Sequence, residues 1–259
     1  MTGTPFLGAL FDLHGQRALV TGASRGLGRA MAEALAGAGA DVVCATTRSG
    51  GARQTVAAIE GLGQSAWEVV ADLGDRAAID RMTTDIEVLA GPIDILVNNA
   101  GTIRRNVAAE YSLADWDAVM RTNVDATFIL CQHFGGEMVE RGAGKIINIA
   151  SLLSFSGGLS VPAYTASKHA VAGLTKAFAN EWGQHGVQVN AIAPGYFRTD
   201  NTQPLQDDPP RSEQIGARIP AGRWGEPSDL AGAIVFLASR ASDYVNGHVL
   251  VVDGGWMAR

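Results

Sequence analysis

The chain of 259 residues carries a formal net charge of −6, and 47% of its residues are hydrophobic. This apolar content supports a large core and excludes bulk disorder. The acidic balance argues against sequence-independent nucleic-acid binding, and no apolar run reaches the roughly 18 residues of a membrane span. We expect one soluble, cytoplasmic domain over residues 1–259, with two buried free thiols at Cys44 and Cys131.

Short β-branched runs alternate along the chain with longer segments in which apolar residues recur at helical spacing. The predicted strands are 18–21, 41–46, 65–71, 93–98, 145–150, 187–192 and 248–252. The predicted helices include 28–37, 76–89, 114–140 and 163–184. Most strands are apolar throughout, as in a sheet covered on both faces. The pattern predicts an α/β fold, a doubly wound parallel sheet of about seven strands with helices on both faces.

The first predicted strand runs into a glycine-rich turn, TGASRGLG, that opens a helix. Gly22, Gly26 and Gly28 would let the backbone approach a pyrophosphate at the positive end of that helix. The spacing is G-x-x-x-G-x-G rather than G-x-G-x-x-G, but its place between a strand and a helix favours a dinucleotide site.

The end of the second strand bears on the choice between NAD and NADP. A carboxylate there would bind the ribose hydroxyls and repel a 2′-phosphate, yet the sequence after Thr46 has no acid. Arg25 and Arg48 could bind a 2′-phosphate or could be ordinary surface arginines. Asp72 follows the third strand, where it could contact the adenine or cap the next helix. Both cofactors therefore stay open.

The fourth strand leads into the polar stretch NNAGTIRRN, which presents Arg104 and Arg105 just past a glycine. An isolated arginine pair is usually part of a solvated loop. This loop, however, should lie at the carboxyl ends of the strands, where open α/β sheets bind ligands. Guanidinium donors at that place suit a carboxylate or phosphate on a substrate.

Tyr164 and Lys168 are four residues apart in a long helical pattern and therefore share one helix face. A lysine ammonium near a tyrosine favours the phenolate and makes it a better base near neutral pH. Ser151 follows a predicted strand at the same sheet edge, and Asn123 is a polar residue in an apolar helical run. Such an asparagine could be catalytic or could satisfy a kinked backbone.

The segment 199–212 interrupts the alternation with Pro204, Pro209, Pro210 and several acids. We expect a mobile loop or a short helical insert around 199–222 that closes over the substrate, since long loops in compact domains often act as lids.

Together the motifs TGASRGLG, NNAG, Asn123, Ser151, YTASK and Pro194-Gly195 resemble the short-chain dehydrogenase/reductase family over nearly the whole chain. The resemblance implies a Rossmann-type sheet, NAD or NADP as cofactor, no metal and a homotetramer. It implies that Tyr164 is the general acid/base, that Lys168 binds the nicotinamide ribose, that Ser151 binds the substrate oxygen and that Asn123 holds a relay water. The cofactor-binding residues that it implies are Gly22, Ser24, Arg25, Gly26, Leu27, Gly28, Thr46, Asp72, Leu73, Asn99, Ala100, Gly101, Tyr164, Lys168, Pro194, Gly195, Phe197 and Thr199, with Asn98 at the strand end.

Within this family, the stretches 101–105, 147–168, 190–203, 218–230 and 241–256 are similar to dehydrogenases of deoxy sugar acids such as 2-dehydro-3-deoxy-D-gluconate or 2-deoxy-D-gluconate. That subgroup tends to use NAD, whereas Ser24-Arg25 is more typical of NADP-using oxoacyl reductases. The implied partner is a small anionic sugar, and the alternatives are a 3-oxoacyl thioester reductase or a gluconate 5-dehydrogenase. The implied substrate-binding residues are Arg104, Arg105, Ser151, Tyr164 and Tyr196, with Arg218 or Arg223, Asn201 and Gln203 as further candidates.

Overall fold

A computed structural model describes residues 6–259 and contains one seven-stranded sheet, in which every neighbouring pair of strands is parallel. Its strands are β1 Arg17–Thr21, β2 Asp41–Thr46, β3 Ala66–Val70, β4 Ile95–Asn98, β5 Gly144–Ile149, β6 Val187–Pro194 and β7 Val249–Val252. Their order across the sheet is β3-β2-β1-β4-β5-β6-β7. This confirms the predicted doubly wound α/β fold, with strand ends that differ from the predicted ones by at most two residues.

The helices alternate with the strands along the chain. They are α1 Phe6–Phe11, α2 Gly26–Gly37, α3 Arg53–Gly61, α4 Arg76–Leu89, α5 Leu113–Met120, α6 Ala126–Arg141, α7 Pro162–Trp182, α8 Gln203–Gln206, α9 Pro209–Arg218 and α10 Ala231–Ala238. The helix predicted over 114–140 is α5 and α6 joined by a π-helical turn, Arg121–Asp125. The proline-containing insert folds as a short 3₁₀ turn followed by α8 and α9.

Two apolar clusters cover the two faces of the sheet, which explains why the central strands are apolar throughout. On one face Met31 and Leu35 of α2 pack with Ile234 of α10. On the other face Met82 of α4 and Phe134 of α6 pack with residues of the same strands. Cys44 and Cys131 are buried free thiols, as predicted.

The strand order changes direction between β1 and β4: β2 and β3 lie on one side of β1, and β4 to β7 follow on its other side. In open parallel sheets this switch point leaves a crevice at the carboxyl ends of the strands. The loops after β1, β4, β5 and β6 all reach this edge. Within residues 6–259, no helix combines the length and the apolar character needed to cross a membrane.

Candidate active site

A cleft of about 1250 Å³ opens at the carboxyl edge of the sheet, above the switch point. Most residues predicted to bind cofactor or substrate line this cleft, from Gly22 in the first loop to Thr199 at the start of the insert. The candidates that do not line it are Arg48, Asn98, Gln203 and Arg223. Ser151, Tyr164 and Lys168 also line it. Asn123 is the predicted catalytic residue that the structure does not place at the cleft surface.

The glycine turn after β1 has the shape that a pyrophosphate needs. Gly22 and Gly26 adopt φ values of +67° and +55°, which side chains disfavour. A Cβ at Gly28 would lie 2.2 Å from the Gly22 carbonyl oxygen. Arg25, at the start of α2, makes no capping side-chain hydrogen bond. The first amides of α2 are therefore available to an anion, and these residues fit a bound dinucleotide.

The two arginines that the sequence suggests as ligands of a 2′-phosphate differ in their position relative to the adenosine end of the cleft. Arg25 lines the cleft and its Nε lies 3.1 Å from a carboxylate oxygen of Asp200 in the insert, both side chains being exposed. Arg48 does not line the cleft, so the structure favours Arg25 alone. Asp72 lines the cleft and accepts a 2.9 Å hydrogen bond from the Gly74 amide. The helix-cap alternative is wrong, because the residue that caps α4 is Asp75, whose side chain accepts from the Ala77 amide.

The loop after β4 is fixed to the glycine turn by Thr21. Its hydroxyl oxygen accepts hydrogen bonds of 2.9 Å from the amides of Asn99 and Ala100. The Asn99 side chain donates back to the Thr21 carbonyl at 2.8 Å. Asn98, expected at the cofactor side, is instead buried and donates to the Asn148 side chain at 2.9 Å, because alternate strand residues face opposite sides.

Tyr164 and Lys168 lie one turn apart near the start of α7, which Pro162 begins. Lys168 is 5% exposed, and its ammonium donates a 2.6 Å hydrogen bond to the Ile149 carbonyl at the end of β5. The ammonium nitrogen lies 5.6 Å from the centre of the Tyr164 ring. Burial lowers the pKa of Lys168 to about 8.

Burial has the opposite effect on the Tyr164 hydroxyl, because it raises the pKa of that group. The neighbouring Ser151 hydroxyl and the positive charge of Arg105 both act to lower it. Lys168 was expected to act on the phenol in the same way, but in this geometry its ammonium is directed at Ile149. Arg105 is thus an electrostatic neighbour of Tyr164, a link with proton transfer that no motif in the sequence indicates.

Asn123 lies in the π-helical turn between α5 and α6 and is almost fully buried. Its side-chain oxygen accepts from the Thr102 amide at 2.8 Å. Its amide nitrogen donates to the Thr102 carbonyl and to the Ser167 hydroxyl, both at 3.0 Å. The side chain thus makes three hydrogen bonds to protein groups, and the relay-water role that the resemblance implies stays a prediction. The side chain joins the loop after β4 to α7.

Arg104 and Arg105 differ in their surroundings although both are exposed and line the cleft. Arg104 lies 3.6 Å from a carboxylate oxygen of Asp115 and donates to the Thr102 hydroxyl at 3.0 Å. Arg105 donates to a backbone carbonyl, that of Asn201 in the insert, at 3.3 Å. Among residues 6–259 no carboxylate forms an ion pair with Arg105. Arg105 is therefore the better placed of the two to bind an anion.

The insert and the end of the described chain form the outer wall of the cleft. Tyr196 packs against Trp256 with ring centres 4.6 Å apart, and the Arg218 guanidinium lies 4.0 Å from the centre of the same indole. Arg223 instead forms a two-point ion pair with Asp229 outside the cleft. Asn201 lines the cleft, whereas Gln203 is bonded to Asp207 and does not.

Several lining residues carried no signal in the sequence, since tertiary folding alone brings them to the cleft; they include Leu153, Arg211, Gln214, Trp256, Met257 and Arg259.

A cluster of possible metal ligands, Glu87, His133 and Glu137, lies on α4 and α6, away from the cleft. The sequence hid it because Glu87 comes from a different helix. His133 is 2.9 Å from Glu87, and Arg141 is 3.5 Å from Glu137, so both carboxylates already have partners within the protein. We assign the cluster no ligand.

The family model described as enoyl-(acyl carrier protein) reductase matches residues 22–257. The chain is 53% identical to 2-dehydro-3-deoxy-D-gluconate 5-dehydrogenase of Bacillus subtilis (strain 168), over 98% of this chain and 99% of that one. A solved structure from Agrobacterium tumefaciens with bound NADP, provisionally named 2-deoxy-D-gluconate 3-dehydrogenase, is 53% identical, with a TM-score of 0.90 and coverage of 96% and 99%. A gluconate 5-dehydrogenase from Burkholderia cenocepacia J2315, in complex with NADP and tartrate, is 41% identical, with a TM-score of 0.93 and coverage of 98% and 99%. With its glycine turn, parallel sheet and Ser-Tyr-Lys cleft, the chain belongs to the short-chain dehydrogenase/reductase family and is an NAD(P)-dependent oxidoreductase that acts on a CH–OH group.

Proposed function

We propose that this enzyme interconverts a secondary alcohol and a ketone on a deoxy sugar acid of the 2-dehydro-3-deoxy-D-gluconate or 2-deoxy-D-gluconate type. The relatives named above act on sugar acids, and one of their structures contains the dicarboxylate tartrate. The observation that carries the proposal is the position of Arg105. Its guanidinium is close enough to Tyr164 to lower the pKa of the phenol, and it has no carboxylate partner among residues 6–259. A substrate carboxylate bound there would lie near the acid/base group.

The nicotinamide, when bound, supplies the carbon that accepts or donates hydride. In the oxidation direction the Tyr164 phenolate removes the hydroxyl proton, and in reduction the phenol returns it. Ser151 donates its one hydroxyl proton to the substrate oxygen, since the Ser151 oxygen itself accepts from the Leu153 amide. Lys168, whose ammonium donates to the Ile149 carbonyl at the cleft, would hold the nicotinamide ribose. Asn123 positions α7 against the loop after β4 through Ser167 and Thr102.

The phosphates would lie on the first amides of α2, between Gly22 and Gly28. Asp72 and Leu73 would border the adenine, and Thr199 would contact the pyrophosphate from the insert. The lack of an acid after Thr46 and the position of Arg25 in the cleft leave room for a 2′-phosphate. We therefore propose that the enzyme accepts NADP.

The test is a panel that crosses NAD and NADP with 2-dehydro-3-deoxy-D-gluconate, 2-deoxy-D-gluconate, D-gluconate and an acetoacetyl thioester. The absorbance of the reduced nicotinamide reports turnover. We expect turnover of a deoxy sugar acid, and we expect Arg105→Ala to lower kcat/KM for that acid by about 10- to 100-fold, the loss of one charge-assisted contact. Arg104→Ala is the matched control, since Arg104 is already paired with Asp115.

Each other result of the panel has a defined meaning. Turnover of D-gluconate alone would make the protein a gluconate 5-dehydrogenase and keep the role of Arg105. Turnover of the thioester alone would contradict the sugar-acid proposal and return both arginines to a solvated loop. Equal losses of kcat/KM in Arg104→Ala and Arg105→Ala would show that the ion pair with Asp115 does not keep Arg104 from binding the substrate.

We propose further that the enzyme acts in the cytoplasm as a homotetramer. The apolar side chains Leu113, Trp116 and Phe128 are exposed along α5 and α6 and support a subunit interface there.

A further inference from the structure

The turn that follows β5 contains a buried hydroxyl to which the mechanism gives no role. Ser154 closes a 3₁₀ turn, Leu152–Ser154, and is 8% exposed. Its hydroxyl donates a 2.6 Å hydrogen bond to the Lys168 carbonyl on α7. The same oxygen accepts from the Ser151 amide at 3.3 Å. One hydroxyl group therefore joins the main chains of two residues of the active site that are remote in sequence.

These two contacts fix the place of the Ser151 side chain. The Ser151 hydroxyl oxygen accepts from the Leu153 amide at 3.2 Å, which leaves its proton for Tyr164 or for a substrate oxygen. The turn carries Ser151, whereas α7 carries Tyr164 and Lys168. The distance between the Ser151 hydroxyl and the phenol thus depends on how the turn is held against α7.

We propose that Ser154 is a positioning residue that holds the Ser151 turn against α7 at Lys168 and so sets the Ser151–Tyr164 contact. This inference rests on the catalytic roles proposed for Ser151, Tyr164 and Lys168. Removal of the hydroxyl leaves the Ser151 amide and the Lys168 carbonyl without this partner, and the turn becomes free to shift. Small displacements of this kind in an active site cost up to about 100-fold in rate.

Ser154→Ala is therefore expected to lower kcat by about 10- to 100-fold, with KM for the cofactor changed less than about threefold. Ser154→Thr keeps the hydroxyl and should restore most of the rate. Ser242→Ala is the matched control, because Ser242 is a fully buried serine whose hydroxyl donates to the Leu237 and Ser239 carbonyls away from the cleft. It should retain the kcat of the wild type.

A second readout does not depend on turnover. The chain contains four tyrosines, and the difference in phenolate absorbance between the wild type and Tyr164→Phe isolates the titration of Tyr164. Because the nearby Ser151 hydroxyl lowers the pKa of Tyr164, a Ser154→Ala variant in which that hydroxyl is displaced should titrate at higher pH. Ser154→Thr and Ser242→Ala should leave it in place. Circular dichroism checks that each variant is folded.

The inference is overturned if folded Ser154→Ala keeps both the kcat and the Tyr164 titration of the wild type. It is also overturned if kcat falls equally in Ser154→Ala and Ser242→Ala with no shift in the titration, since that result indicates general destabilisation. If Ser154→Ala fails to fold, Ser154→Thr and Ser154→Cys take its place. A normal rate and Tyr164 titration in Ser154→Thr, together with a shifted Tyr164 titration in Ser154→Cys, would support the inference. An unshifted Tyr164 titration in Ser154→Cys would count against it. An active Tyr164→Phe would instead contradict the proposed function itself.

Discussion

Lys168 is a residue at which stability and chemistry oppose each other. Burial lowers the pKa of Lys168 from 10.5 to about 8, so between these values the unfolded chain binds more protons than the folded one. Stability contributed by this site therefore rises with pH across that window and is lowest below pH 8. The protein retains a destabilising charge where the ribose is expected to bind.

Replacing this charge should stabilise the protein while it abolishes activity. We expect Lys168→Met to raise the free energy of unfolding by about 1–2 kcal/mol at neutral pH, after allowance for the orphaned Ile149 carbonyl. The gain should fade as the pH approaches 10.5, and urea unfolding of both proteins at the two pH values measures it. Lys176→Met, at an exposed position of the same helix, should show no such gain. A destabilised Lys168→Met at neutral pH would contradict the argument.

Arg105 should influence proton transfer as well as binding. Its positive charge lowers the pKa of Tyr164, so Arg105→Ala should raise that pKa. Oxidation requires the phenolate, and the acidic limb of its kcat profile should therefore move to higher pH. Arg105→Lys, which keeps a charge, should show a smaller displacement, and Arg104→Ala none. An unchanged limb in Arg105→Ala would show that the two groups are not coupled in the working enzyme.

At the scale of elements, the first turn of α2 depends on the absence of a side chain at Gly28. The constraint there is space, because a Cβ would lie 2.2 Å from the Gly22 carbonyl oxygen and 2.5 Å from the Asn99 side-chain nitrogen. Gly28→Ala should raise the Kd for NADP at least about tenfold by displacing the loop that holds the pyrophosphate. Calorimetric titration measures this.

The other end of the same helix supplies the control. A Cβ at Gly37 would meet nothing within 4 Å, so Gly37→Ala should leave NADP affinity unchanged and cost no stability. If Gly28→Ala bound NADP as the wild type does, the turn would be more adaptable than its packing indicates.

The elements differ in how far the sequence could predict them. Strands buried on both faces, such as β1 and β4, have continuous apolar centres, and all seven strands were predicted. The helix α10, AGAIVFLA, is apolar on every side and lacks a polar face that would reveal its period. The π-helical turn at Asn123 depends on contacts with Thr102 and Ser167, which are remote in sequence. Local patterns cannot encode such a turn.

The same distinction holds for the site. The residues that line the cleft from the ends of strands follow from motif and topology together, as Ser151 and Gly22 do. Trp256 and Arg259 reach it only because the end of the described chain packs against the insert, where Arg259 donates to the Ala217 carbonyl at 3.3 Å. Residues of the same type also differ in their partners, which the sequence does not reveal. Arg223 forms an ion pair with Asp229, whereas Arg218 lies over the Trp256 ring.

At the scale of the whole molecule, apolar side chains remain exposed along one stretch of the described surface. Leu113 is 81% exposed at the start of α5, and Phe128 is 40% exposed on α6, where its ring lies 6.0 Å from that of Phe178 on α7. The apolar faces of these long helices could either pack on the sheet or form a contact between subunits. The buried part of α6 packs on the sheet through Leu130, Phe134 and Met138, so Phe128 belongs to a second face.

This second face should be the contact between subunits of a homotetramer. We expect sedimentation of the wild type to give a mass of four times its chain mass of 27.0 kDa. Phe128→Glu should sediment as a smaller species, because its carboxylate would be buried against the partner helix. Val88→Glu places the same charge on an exposed apolar position of α4 and should leave the tetramer intact. Circular dichroism separates dissociation from unfolding in Phe128→Glu. A wild type that sediments as a monomer, or a Phe128→Glu that stays tetrameric, would exclude this face as the interface.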